Sequence, residues 1–110
     1  MSQPTAAAIA ALNDTFRTSS LDGQIFMTAG IAALPYPEQA AIMYRVQTFS
    51  DFDADNDPHG EHDFGAFEHQ GRKIFWKIDC YDPSLQYGSE NPADPAVTTR
   101  VLTVMFADEW

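Results

Sequence analysis

FGAFEHQGRKIFWKIDCY, running from Phe64 to Tyr81, decides how the rest of the chain is read. Two apolar, aromatic-rich runs flank His69-Gln70-Gly71-Arg72, and a glycine at that point supplies the backbone freedom of a tight turn, so the stretch predicts a β-hairpin. Strand side chains alternate between faces. Ile74, Trp76, Ile78 and Cys80 therefore share one face, read as core, and Phe75, Lys77, Asp79 and Tyr81 share the other.

Upstream of the hairpin, Pro4 to Thr18 is Ala-rich with Ile9, Leu12 and Phe16 at helical spacing, and Thr5 or Pro4 is placed to open that helix. Ser19 to Gly23 reads as a turn, and Gln24 to Thr28 as a short strand ending near Gly30. Pro37 starts a second helix with Ile42, Met43, Val46 and Phe49 on one side. Downstream, Asp82 to Leu85 reads as a turn and Tyr87 to Pro95 as loop. Asp94 before Pro95 is a capping residue before a first-turn proline, and Val97, Val101, Val104 and Met105 recur at helical spacing, which predicts a C-terminal helix. The expected fold class is α+β: one domain over residues 1–110, with helices packed on one face of a small, mainly antiparallel sheet that has the hairpin at its centre.

At 110 residues with 45% hydrophobic and 13% aromatic side chains, the chain has enough apolar surface to fold despite a formal charge of −10. That charge disfavours direct contact with nucleic acid or anionic membranes and favours a basic protein partner. Cys80 is the only cysteine, which excludes an intramolecular disulfide and a multi-Cys zinc site and fits a reducing compartment. MSQPTAAAIAALND lacks the basic start and long apolar run of a signal peptide, and no segment is long enough for a membrane span, so a cytoplasmic protein is expected.

DFDADNDPHGEHD, Asp51 to Asp63, holds six carboxylates and two histidines without one Lys or Arg. Pro58 and Gly60 make it a loop, and such a segment resists burial unless a cation, a basic surface or water meets it. Asp53, Asp55 and Asp57 alternate as at the start of a calcium loop, but Pro58 and Phe64 stand where an EF-hand has its glycine and its final glutamate. His59, Glu61, His62 and Asp63 offer nitrogen and oxygen donors for zinc or manganese, and calcium would take the oxygens; the spacing lacks the HExxH separation. The bland reading is that His62 and Asp63 bond to the loop's own backbone and order it. No cofactor is expected on that reading.

The sequence contains neither a G-x-S-x-G elbow nor a glycine-rich phosphate loop, and Cys80 falls on the apolar face, so an enzyme is not the favoured class. Phe75, Tyr81, Tyr87 and Trp110 are candidates for an interface beside the acidic loop, or else for a second packed layer. Asp79, Asp82, Glu90 and Asp94 would extend the negative surface of Asp51, Asp53, Asp55, Asp57 and Glu61, as phosphates line a groove.

With NDPHGEHDFG, FWKIDCYDPSLQYGSENPADP, LNDTFR and MTAGIAALP on the page, the chain resembles the small bacterial domain of unknown function 3768 family. The resemblance implies a short stand-alone protein of proteobacterial type, often beside mobile-element genes, and directs attention to Asp55, Asn56, Asp57, His59, Glu61, His62 and Asp63. It transfers no catalytic residue, and Cys80 stands where the commonest family pattern has an aromatic side chain. The favoured expectation is an acidic inhibitor that occupies the basic, nucleic-acid-handling surface of a partner, of anti-CRISPR or anti-restriction character. The alternatives are a metal-binding protein or metal-dependent hydrolase using the acidic loop, and an antitoxin-like or regulatory module paired with a basic protein.

Overall fold

The computed structural model describes residues 5–19 and 23–110. In chain order they form α1 (Ala6–Ser19), β1 (Gly23–Met27), α2 (Ala29–Ala32), α3 (Tyr36–Gln47), β2 (Phe64–His69), β3 (Arg72–Tyr81) and β4 (Thr99–Phe106), with single 3-10 turns at Pro95–Val97 and Ala107–Glu109. The four described strands make one sheet in the order β1-β4-β3-β2. β2–β3 and β3–β4 are antiparallel and β1–β4 is parallel, so the fold is α+β with a mostly antiparallel sheet.

The hairpin forms as the sequence predicts. Gln70 and Gly71 both sit at positive φ, 51° and 81°, the pairing that a two-residue turn with the right twist requires. Trp76 opposes Gly65, and its fully buried indole lies so close that a Cβ at Gly65 would stand 2.3 Å from the ring nitrogen. Ile74, Trp76, Ile78, Leu102, Val104 and Phe106 meet Phe16 of α1, Ile31 of α2, and Ile42 and Val46 of α3 in a single cluster. Met43, Phe49 and Cys80 pack against it from the margin.

The start of α1 lies at Thr5, whose hydroxyl accepts a hydrogen bond from the Ala8 amide at 3.1 Å. Pro4 and most of the expected turn before Gly23 lie outside the described residues. α3 opens at Pro35, with Pro37 in its first turn.

The C-terminal segment departs from expectation: Thr99–Phe106 is a strand, not a helix. Its residues are rich in β-branched side chains, which suit a pleated surface. β4 lies inside the sheet between β1 and β3, and Val101 and Met105 are buried on the face opposite Leu102, Val104 and Phe106. Burial on both faces removes the apolar–polar alternation that marks a strand and leaves a run that satisfies a helical template equally well. The Asp94 cap is real, with its carboxylate accepting from the Ala96 amide at 2.9 Å, but it opens only the single 3-10 turn. β4 also displaces the hairpin from the centre, leaving β2 at the sheet edge.

Glu109 ties the chain's last turn to α2. Its carboxylate accepts from the Thr28 hydroxyl at 2.7 Å, from the Gly30 amide at 2.8 Å and from the Phe106 amide at 3.0 Å. The Thr28 bond, with the two amides, holds its pKa below the ordinary glutamate value. A depressed folded-state pKa stabilises the fold above the unfolded value, about 4.3, and the contribution is lost as pH falls through the lower, folded value. Glu109→Gln is therefore expected to lower the melting temperature at pH 7, with the gap from wild type narrowing below about pH 4; thermal unfolding across pH 3–7 checks this.

Candidate functional site

The acidic loop is shaped by its own polar side chains and by α1. Asp53 accepts from the amides of Asp55 and Asn56 at 2.9 and 3.0 Å. Asn56 returns the contact, accepting from the Asp53 amide at 3.0 Å and donating to the Asp51 carbonyl at 2.7 Å. Asp57, 8% exposed, turns inward, and one of its oxygens accepts from both the Glu61 and His62 amides at 3.1 Å. These are the local side chain to backbone bonds that short polar residues make in place of regular structure.

His62 is the point where the loop meets the helix. It is held at φ 55°, a region few non-glycine residues occupy. Its ring stacks on Phe52 with centroids 3.9 Å apart and planes 2° from parallel. Nδ1 lies 2.9 Å from an Asp14 oxygen, and Nε2 lies 3.6 Å from Asp57, so the imidazole stands between two carboxylates. Asp14 in turn pairs with Arg17 at 3.0 Å. Arg17, 3% exposed, donates to the Val46 and Gln47 carbonyls at 2.7 and 3.3 Å, at the end of α3 where carbonyls lack helical partners and the dipole favours a cation. Its guanidinium lies 4.9 Å from the Trp76 ring centroid and 5.6 Å from that of Phe52.

Beside this clasp, Asn13 is fully buried. It donates to the Glu61 carbonyl at 2.9 Å and accepts from Arg100 Nε at 2.7 Å, with the Cys80 thiol 3.9 Å from the same oxygen. Burial pushes the Cys80 thiol upward despite the nearby Arg100, which disfavours the thiolate that nucleophilic chemistry requires. Burial likewise raises the Asp63 carboxyl, while its backbone carbonyl accepts from the Ile78 amide at 2.8 Å and starts the hairpin ladder.

The sequence-predicted carboxylates differ in how far the chain itself engages them. Asp57, Asp79, Asp82 and Asp94 are engaged within the chain. Asp79 pairs with Lys77 at 2.8 Å. Asp82 accepts from the Ser84 hydroxyl and the Gln86 and Tyr87 amides; desolvation pushes its pKa up, but these bonds outweigh it and hold the pKa low. Asp53 is partly engaged through one oxygen. The Asp51, Asp55, Glu61 and Glu90 carboxylates accept no hydrogen bond and form no ion pair among the described residues, and of these Glu61 is half-buried. The proposed metal quartet does not converge. His59 is exposed and His62 faces Asp14 and Asp57, and among the described residues no group of three or more His, Cys, Asp or Glu side chains is arranged to hold an ion. The side chains that bond the loop backbone are not the expected His62 and Asp63: Asp57 accepts from the loop amides, Asp63 contributes its backbone carbonyl to Ile78, and the His62 ring reaches Asp14 on α1.

Phe75 and Trp110 do form a cluster with Phe64: Trp110 stands edge-on to both phenylalanines at 5.8 Å, and the two phenylalanine rings lie tilted 5.1 Å apart, whereas Tyr81 and Tyr87 take no part in it. Asn13, Asp14 and Arg17 are absent from the sequence-predicted set. All three lie in the LNDTFR segment that carries part of the family resemblance, and Asn13 and Arg17 follow Ile9 at spacings of four, inside the stripe that α1 buries.

The fold and this loop together define a small acidic α+β protein whose carboxylate-rich segment is ordered by internal bonding. A family model matching residues 27–109 makes the assignment narrower: the chain belongs to the family described as protein of unknown function (DUF3768). The match leaves α1 outside it. No curated protein and no solved structure matches the chain. No helix among the described residues is long and apolar enough to cross a membrane.

Arg17→Met is expected to destabilise the fold by about 3 kcal/mol, since it strips a buried cation from two carbonyls and a carboxylate. Asp14→Asn should cost less, because Asp14 is 39% exposed and its pairing is screened by water. Urea unfolding measures both; an Arg17→Met loss below about 1 kcal/mol would mean the clasp is incidental.

Proposed function

We propose that this protein is a non-enzymatic, acidic binding protein whose Asp51–Asp63 loop docks on the basic, nucleic-acid-handling surface of a partner protein and blocks it. The observation that carries this reading is the division of labour within the loop. Asp57, Asn56, His62 and part of Asp53 hold its shape, while exposed Asp51 and Asp55 meet no cation among the described residues. A loop already fixed in shape loses little entropy on docking, and unpaired carboxylates attract a complementary field over the Debye length. The chain's charge of −10 adds to that field at long range.

The partner class follows from the same physics. A surface that binds phosphates presents Lys and Arg at close spacing, and a fixed row of carboxylates competes for those groups. An inhibitor of host defence, of anti-CRISPR or anti-restriction type, and an antitoxin-like module are both members of this class. The metal-dependent alternative has no assembled ligand set among the described residues to favour it.

The test is affinity capture of the partner on immobilised protein at roughly 50 and 300 mM salt, followed by elution with duplex DNA. A basic nucleic-acid-binding protein should be retained at low salt and released by either salt or DNA. The double variant Asp51→Asn/Asp55→Asn should retain the fold's melting temperature and lower the association rate by about tenfold. Retention indifferent to salt, to DNA and to that variant would contradict the proposal.

A further inference from the structure

A groove of about 660 Å³ lies between the C-terminal half of α1 and the Pro95–Thr98 segment. Leu12, Phe16, Pro95 and Ala96 give it apolar walls, Thr98 adds a hydroxyl, and Arg100 also lines it. Its volume falls within the roughly 300–1,000 Å³ usual for small-molecule sites.

Arg100 is what sets this groove apart. It is 5% exposed, and its guanidinium bonds only to neutral oxygens: Nε to the Asn13 side chain and Nη2 to the Pro92 carbonyl. Among the described residues, which include every Asp and Glu but Asp22, no carboxylate lies within ion-pair distance of it. Arg17, buried to the same degree, has Asp14 as its counter-charge. A buried guanidinium is costly without an anion, and its fork matches a carboxylate bidentately. Nη1 makes no hydrogen bond among the described residues, so part of that fork is unused.

We propose that this groove binds a small organic monocarboxylate, with its carboxylate on Arg100 and its hydrocarbon body between Leu12, Phe16, Pro95 and Ala96. A single charge is favoured over a phosphate because Arg100 is the only basic residue lining the groove among the described residues, and a second negative charge would face an already acidic protein. The site is separate from the acidic loop's exposed carboxylates, so it stands or falls independently of the docking function proposed above.

Titration calorimetry and NMR with sodium octanoate, 1-octanol and inorganic phosphate test it. Octanoate should bind one-to-one and shift the Arg100 Nε–H resonance, and both other probes should bind at least about tenfold more weakly. Arg100→Gln should weaken octanoate by about tenfold or more. Should that variant fail to fold, Ala96→Phe, which fills the groove and leaves the guanidinium's bonds intact, should abolish binding instead. Equal binding of octanol, tighter binding of phosphate, no saturable octanoate binding, or binding unchanged in Ala96→Phe would each overturn the proposal.

Discussion

The carboxylate of Asp14 is shared between Arg17 and His62, and three parts of the molecule meet there. Arg17 reaches from α1 to the end of α3 and over the Trp76 ring at the centre of the core. His62 reaches from the acidic loop to α1 and closes over Phe52. Because Arg17 is almost wholly buried, its charge has to be answered inside the fold, and Asp14 and the Val46 and Gln47 carbonyls provide that answer. The loop's position is thus set by the electrostatics of a buried cation as much as by its own turns.

That constraint changes what the loop's charge means. Six carboxylates in thirteen residues suggest a segment that waits for a cation to fold it. Instead, Asp57 acts as a backbone acceptor, Asp53 closes a turn, and the Asp63 side chain is half-buried and raised in pKa by desolvation. Each such use lowers the number of loop carboxylates left unengaged, which among the described residues are Asp51, Asp55 and the half-buried Glu61. Asn13 extends the same logic toward the sheet, linking the loop's Glu61 carbonyl to Arg100 on β4.

Local chemistry was legible in the sequence wherever it acted locally. Gly71 announced the hairpin, alternation from Ile74 to Cys80 announced the core face, and Asp94 before Pro95 announced a cap. What followed that cap was not legible, because an interior strand buried on both faces loses its period and Val101 and Met105 fit a helix as well as a strand. The partners of the acidic loop were equally hidden: Asn13 and Asp14 lie 48 residues before Glu61 and His62, and no local pattern encodes such a pairing. Carboxylate spacing showed where charge accumulates but not which way each side chain turns.

If the Asp14 clasp is what holds the acidic loop against α1, the loop keeps its order in metal-free protein. Amide hydrogen exchange on metal-free protein, followed at Glu61 and His62, tests it most directly. Both amides should be protected in the wild type and lose that protection in Asp14→Ala while the β3–β4 ladder stays protected. Fast exchange at Glu61 and His62 in the wild type, or protection that arises only when a metal ion is added, would contradict the account.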